Sequence, residues 1–151
     1  MLDELDNAIL KELQKDARVS NAELARRVNL SPPATLTRVR RLEEDGFIQN
    51  YAAIINRQKA GYDLLCFIGI SLQLHKVEQV NGFHEIIEKM PEVLECHHVT
   101  GEYDYLLKVV ARNTEYLEDF LMKKITPIPG VARIHTSLVL RENKTSTEIP
   151  L

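Results

Sequence analysis

Arginine carries the most distinctive chemistry in this chain. Between Arg18 and Arg41 there are six arginines and one acid, Glu23. A guanidinium presents a planar fork of donors that matches guanine edges and phosphate oxygens. Three of the arginines fall in Ser31-Pro32-Pro33-Ala34-Thr35-Leu36-Thr37-Arg38-Val39-Arg40-Arg41-Leu42, a segment that begins with small residues. Read as a helix at about 100° per residue, it puts Leu36, Val39 and Leu42 on an inward side and Ala34, Thr37, Arg38 and Arg41 on the opposite one. Short side chains at the leading end let such a helix enter the major groove, where Arg38 and Arg41 can reach bases or phosphates. Arg40, on the flank, is a phosphate candidate. The DNA-contacting candidates are Ser31, Pro33, Ala34, Thr35, Thr37, Arg38, Arg40 and Arg41.

Other chemistries are poorly supplied. Cys96-His97-His98 offers metal-ligand atoms, but consecutive strand residues point to alternate faces and cannot easily meet one ion. His84 and His135 stand alone. There is no P-loop, no Gly-rich dinucleotide fingerprint and no nucleophile elbow. The sequence therefore predicts no metal, no cofactor and no enzyme.

The arginine segment needs elements to position it. Ser20 with Glu23 three residues on forms a capping box, so a helix starts there. Asn29 suits a left-handed stop, Ser31 an N-cap and Pro32 the first helical position. Two capped helices around a three-residue turn predict a helix-turn-helix. Asp3 can cap an earlier helix with Leu5, Ile9, Leu10 and Leu13 as its buried stripe, which completes a three-helix domain. Gly46 ends the third helix; Glu43-Glu44-Asp45 at that end opposes the helix dipole and would repel phosphate, so it points away from DNA. Phe47 to Ile55 has strand composition and reads as a wing or connecting strand. A polar turn around Gly61 marks a boundary between residues 1–60 and 61–151.

Beyond the boundary, strand and helix patterns alternate. Strands are predicted over Leu64–Leu74, Val93–Thr100, Tyr105–Ala111 and Val131–Leu140, with a turn at Gly101–Asp104. Helices are predicted over Val80–Met90, facing inward with Phe83, Ile86, Ile87 and Met90, and from a Thr114 cap through Leu117, Phe120, Leu121 and Ile125 to Pro127. The order βαββαβ is the ferredoxin-like pattern. The expected class is α+β, a winged helix-turn-helix joined to a ferredoxin-like domain. The tail from Arg141 to Leu151 has no clear period.

Composition agrees. The chain has 151 residues, 44% hydrophobic and 27% charged, the profile of a soluble globular protein. The net charge of −3 hides an asymmetry: residues 1–60 hold ten Lys/Arg against nine Asp/Glu (+1), and residues 61–151 hold nine against thirteen (−4). A local basic face on a near-neutral domain is sufficient for phosphate contact. No apolar run approaches a membrane span, and Met1-Leu2-Asp3-Glu4 is not a signal peptide, so the cytoplasm is the expected compartment. Cys66 and Cys96 read as buried reduced thiols.

These segments resemble a known family over nearly the whole chain. Leu2-Asp3 with Asp6, Ile9, Leu10 and Leu13 is similar to the first helix of the leucine-responsive regulatory protein/AsnC (Lrp/AsnC, feast/famine) transcription regulators. Leu30-Ser31-Pro32, Arg38-Val39-Arg40-Arg41-Leu42-Glu43 and Gly46-Phe47-Ile48 resemble their recognition helix and its exit. Thr100-Gly101-Glu102-Tyr103-Asp104-Tyr105-Leu106-Leu107 resembles the family's Gly-acid-aromatic-Asp turn and following strand.

The resemblance implies sequence-specific binding to double-stranded DNA at a pseudo-palindromic operator. It implies self-association as a homodimer and higher oligomer, tetramer or octamer, through the second domain. It also implies an amino-acid effector held at interfaces between those domains. The effector positions fall on His98, Gly101, Asp104, Thr114, Ser137, Leu138 and Val139. Chemically, amides exposed around Gly101 could hold the effector's carboxylate and Asp104 its ammonium, with Leu138 and Val139 shaping the pocket. The alternative at this turn is a plain hairpin with Asp104 in local hydrogen bonds. Two other functions stay open: an enzyme like the sirohaem decarboxylases that resemble this family, and an architectural DNA-binding protein of little sequence preference.

Overall fold

Each helix of the N-terminal unit starts on a residue that satisfies its orphan amides. The computed structural model describes residues 1–73 and 77–151, and side chains outside 74–79. Helix α1 spans Glu4–Lys15; Asp3 accepts from the Asp6 N–H while Asp6 accepts from the Asp3 N–H, a reciprocal capping box. Helix α2 spans Asn21–Arg27 and starts on Ser20, whose Oγ accepts from the Glu23 N–H. The expected box at Ser20 is only half formed, because the Glu23 carboxylate binds Arg26 and Arg27 instead. Helix α3 spans Pro32–Glu44 on a Ser31 cap with Pro32 leading. Asn29 takes φ +54° between α2 and α3, and the Asn21 side-chain amide donates to the Pro32 carbonyl at 2.9 Å, fixing the turn.

Ile9, Leu10, Leu24, Val28 and Leu42 form the core of this unit. Fully burying such a side chain contributes roughly 1.5–3 kcal/mol, which is what holds three short helices together. Gly46 stops α3 at φ +75°. The expected strand at Phe47–Ile55 does not form a ladder within the chain. It is unpaired, and Tyr51, Ile54 and Ile55 are exposed.

The chain divides into two compact units, Met1–Ile54 with Asn143–Leu151, and Ile55–Glu142. The sequence boundary at 60/61 falls later and would place the tail in the second domain. Instead the tail groups with the first unit, and Gln14 exchanges two hydrogen bonds with the Ile149 backbone.

The second unit is built on four antiparallel strands in the order β2-β3-β1-β4, where β1 is Leu64–Leu72, β2 Val93–His98, β3 Tyr105–Ala111 and β4 Val131–Leu138. This is the ferredoxin-like arrangement expected from the element order. Leu74, placed in the first strand by sequence, lies outside the described residues. Helix α4 spans Val77–Glu88, earlier than expected, and buries Phe83 and Ile87 against Ile68, Ile70, Tyr105, Leu107 and Val109. Helix α5 spans Thr114–Phe120 and continues as a π-helical turn, Leu121–Ile125. Its cap is Asn113, whose side chain accepts from the Tyr116 N–H, and not Thr114. Cys66 is buried on β1, but Cys96 is exposed because β2 is an edge strand. No helix among the described residues is long and apolar enough to cross a membrane.

Candidate functional site

Helix α3 is turned further toward α1 than its apolar pattern predicts. Asp6, 1% exposed, accepts from Arg38 Nη1 at 2.7 Å and from Arg41 Nη2 at 2.5 Å. Arg38 also bridges to Asp3 at 2.7 Å. The Asp6 N–H and then the Arg38 guanidinium hold the Asp3 carboxyl below the ordinary carboxylate range, and Asp3 in turn raises Arg38. Arg38 and Arg41, three residues apart, share one helical face and so meet the same carboxylate.

This rotation re-sorts the candidates. Thr35 is fully buried with its Oγ1 donating to the Ser31 carbonyl, so it cannot contact a base. Leu36, expected inside, is 40% exposed. Ala34 is half-buried and Ser31 Oγ is occupied as a cap. Arg38 is folded onto α1, and Arg41 is tethered there but half-exposed. The solvent row of α3 is Pro33, Leu36, Thr37, Arg40 and Glu44. Thr37 Oγ1 donates to the Pro33 carbonyl, and Arg40 has no ion-pair partner among the described residues. Arg26 and Arg27 pull the Glu23 carboxyl down to about 2 and are themselves occupied by it. The sequence places Asp6 in the first helix but does not pair it with the arginines; the signal was two acids three residues apart, Asp3 and Asp6, matching two arginines three residues apart, Arg38 and Arg41.

The effector positions fall into two groups within one chain. Gly101 and Asp104 form the β2–β3 turn. Gly101 adopts φ +120°, a conformation that favours glycine although a Cβ would meet nothing within 4 Å. The amides of Thr100, Gly101, Glu102 and Tyr103 find no acceptor among the described residues. Asp104 is half-buried; its Oδ2 accepts from the Leu72 N–H at 2.7 Å and its N–H donates to the Ile70 carbonyl. Both bonds run across to β1, more than thirty residues away, and are not the local bonds of a hairpin turn, while Oδ1 keeps no hydrogen bond among the described residues. The Tyr103 ring lies over Gly69, where a Cβ would sit 2.6 Å from it, and stacks on His135 of β4 at 5.6 Å. Gly69 is a residue the sequence did not single out.

Thr114 and Ser137–Val139 lie elsewhere. Leu138 pairs with Cys66, whereas the Asp104 turn is level with Ile70, four residues along β1, or roughly 13 Å at 3.3 Å per residue. Thr114 follows Ala111, which pairs with Leu64 at that same far end. His98 faces the helix-covered side, stacked on Tyr105 at 4.9 Å beside His84 and Cys96. One chain therefore does not gather the seven residues around one ligand. Among the described residues no cluster of His, Cys, Asp and Glu could hold a metal ion.

Comparison with known proteins fits both halves. Residues 2–49 match the winged helix-turn-helix DNA-binding family model, and residues 65–149 match the Lrp/AsnC ligand binding domain. The chain is 36% identical to the transcriptional regulator AzlB of Bacillus subtilis over 151 residues, covering 100% of this chain and 96% of that protein. It is 41% identical to the leucine-responsive regulatory protein of Escherichia coli over 148 residues, 98% of this chain and 90% of that one. Among solved structures, a Neisseria meningitidis transcriptional regulator in complex with L-methionine superposes with a TM-score of 0.96 at 35% identity, covering 99% of this chain and 97% of that one. Escherichia coli AsnC gives 0.90 at 31% identity, with 99% coverage of both.

Proposed function

This chain belongs to the Lrp/AsnC family of transcriptional regulators, and on that premise we propose how its residues divide the work. The observation that carries the reading is the exposed row of α3, a capped helix whose outward face presents Pro33, Leu36 and Thr37 and then Arg40, which has no ion-pair partner among the described residues. Thr37 and Arg40 meet base edges or phosphates, with Pro33 and Leu36 giving apolar contact such as a thymine methyl accepts. Ser31 and Ala34 sit at the leading end that approaches the backbone. Arg41, half-exposed, reaches phosphate from the flank, and Arg38 positions the helix through Asp3 and Asp6. Glu44 closes the row with a negative charge, which favours insertion by the N-terminal end of α3.

The effector is an amino acid held between copies of the chain. The unbonded amides around Gly101 suit a carboxylate, and Asp104 Oδ1 suits an ammonium. Thr114, Ser137, Leu138 and Val139 stand too far along the sheet to close that pocket in the same chain, so a second copy supplies them. Such assembly also places two α3 helices for a two-fold operator. His98 stands apart from this pocket on the helix-covered side and tunes it indirectly, through Tyr105.

The test is fluorescence anisotropy of the protein on its own upstream DNA and on a scrambled duplex, over several salt concentrations. Preferential, salt-sensitive binding is expected, and Arg40→Ala should cost roughly 1–3 kcal/mol if Arg40 reads a base. Equal binding to both duplexes would instead support an architectural role. An unchanged affinity in Arg40→Ala would remove that residue from the interface.

A further inference from the structure

The chain passes between its two compact units twice, after Ile54 and after Glu142. On the second unit the two crossings are tied together. Arg57, two residues after the first crossing opens that unit, donates from Nη2 to Glu142 Oε2 at 2.9 Å. The two side chains are 21% and 35% exposed, so the pair is partly shielded from water. Arg57 is itself fixed. Its Nη1 donates to the carbonyls of Tyr62 at 2.9 Å and Asp63 at 2.7 Å, and its own carbonyl accepts from the Tyr62 N–H. Asp63 directly precedes β1, so one guanidinium fork joins the start of β1 to the segment that leaves β4.

On the first unit the two crossings are anchored at different helices. The Tyr51 hydroxyl donates to Glu43 Oε1 of α3 at 2.9 Å. The Gln14 side chain of α1 donates to the Ile149 carbonyl at 3.0 Å and accepts from the Ile149 N–H at 2.6 Å. Between these anchors and the clasp, residues 52–56 and 143–148 are exposed throughout. A body held by one tether swivels about it. Two tethers that start on different helices and meet at one clasp oppose that swivel while both stay short.

The clasp sets the length of the second tether. Without it, the next hold on the sheet among the described residues is the Val139 N–H on the Leu65 carbonyl at 2.9 Å. Leu140, Arg141 and Glu142 would then join the tether, adding about 10 Å at roughly 3.3–3.6 Å per residue. Two extra base pairs move a half-site by about 7 Å and turn it by about 70°, because 10–10.5 base pairs make one turn of roughly 34–36 Å. The slack released is larger than that step.

We propose that the Arg57–Glu142 clasp determines which half-site spacing the protein accepts on DNA, by keeping the second tether short. The inference rests on the reading that two copies present two α3 helices to a two-fold operator. It assigns to this pair a selectivity for spacing, separate from the base readout of α3.

The experiment is fluorescence anisotropy of the full-length protein on its footprinted upstream DNA, with base pairs added or removed one at a time at the operator centre. The parent should lose roughly tenfold or more in affinity at two base pairs from the natural spacing. Glu142→Ala should bind the natural spacing within about threefold of the parent and lose less than about threefold at two base pairs away. Gln14→Ala frees the other end of the same tether and should flatten the profile alike. A parent-like profile in Glu142→Ala or, should that variant melt early, in Gln14→Ala would overturn the clasp and leave the DNA-binding reading standing. An equal loss at every spacing would do the same, because it marks a merely structural role. So would a parent that prefers its own DNA to a scrambled duplex equally at every spacing. A parent that binds no duplex would overturn the operator reading and the clasp with it.

Discussion

Replacing Asp6 with alanine tests whether α3 is held by the arginine–carboxylate network. The carboxylate receives three hydrogen bonds: from the Asp3 N–H at 3.1 Å, Arg38 at 2.7 Å and Arg41 at 2.5 Å. A hydrogen bond to a charged group contributes roughly 1.5–3 kcal/mol when shielded from water. Arg38 and Arg41 are 26% and 48% exposed, so both regain water when Asp6 is removed, which lowers each toward about 1 kcal/mol. The lost half of the capping box adds about 0.5–1 kcal/mol. Asp6→Ala should therefore destabilise the first unit by about 3 kcal/mol, well short of the 3–5 kcal/mol from each fully buried broken pair. Urea unfolding followed by helical circular dichroism reads this directly. With a slope of ~1–2 kcal/mol/M for a small unit, the midpoint should fall by about 2 M. A loss below about 1 kcal/mol would mean the network behaves as a surface ion pair, and the rotation of α3 would then need another cause.

Two further outcomes follow from the geometry. Gly69→Ala drives a methyl to 2.6 Å from the Tyr103 ring, so the ring must leave; a cost of roughly 1–3 kcal/mol in thermal unfolding and a weakened amino-acid response at the Gly101–Asp104 turn are expected, and an unchanged melting temperature would refute the close approach. Glu23 is held down at about 2 by Arg26 and then Arg27, so what it contributes to stability is complete above its unfolded value of 4.5 and is lost as pH falls through about 2. Glu23→Gln should accordingly melt earlier than the parent near neutral pH, with the two curves converging in strong acid; a gap that persists there would show that the effect is not the charge.

Local signals in the sequence sufficed for the five helices, the four sheet strands and their order, but not for Phe47–Ile55, whose strand composition finds no ladder partner within the chain. Ser20, Ser31, Pro32, Asn29 and Gly46 act within one turn of the backbone they control, so helix starts and stops are readable from neighbours alone. The apolar periods gave the βαββαβ order for the same reason, and the resemblance to Lrp/AsnC regulators rests on such local strings. What the sequence could not decide is which side of α3 faces out. That depends on Asp6 meeting Arg38 and Arg41, more than thirty residues away, and on Thr35 filling the core position expected of Leu36. A residue's angle on a helix is local, but the zero of that angle is set by the partner helix. The same limit separates Asp104 from Ser137–Val139: adjacent roles in one proposed site, yet opposite ends of a sheet whose strand order only the folded chain fixes.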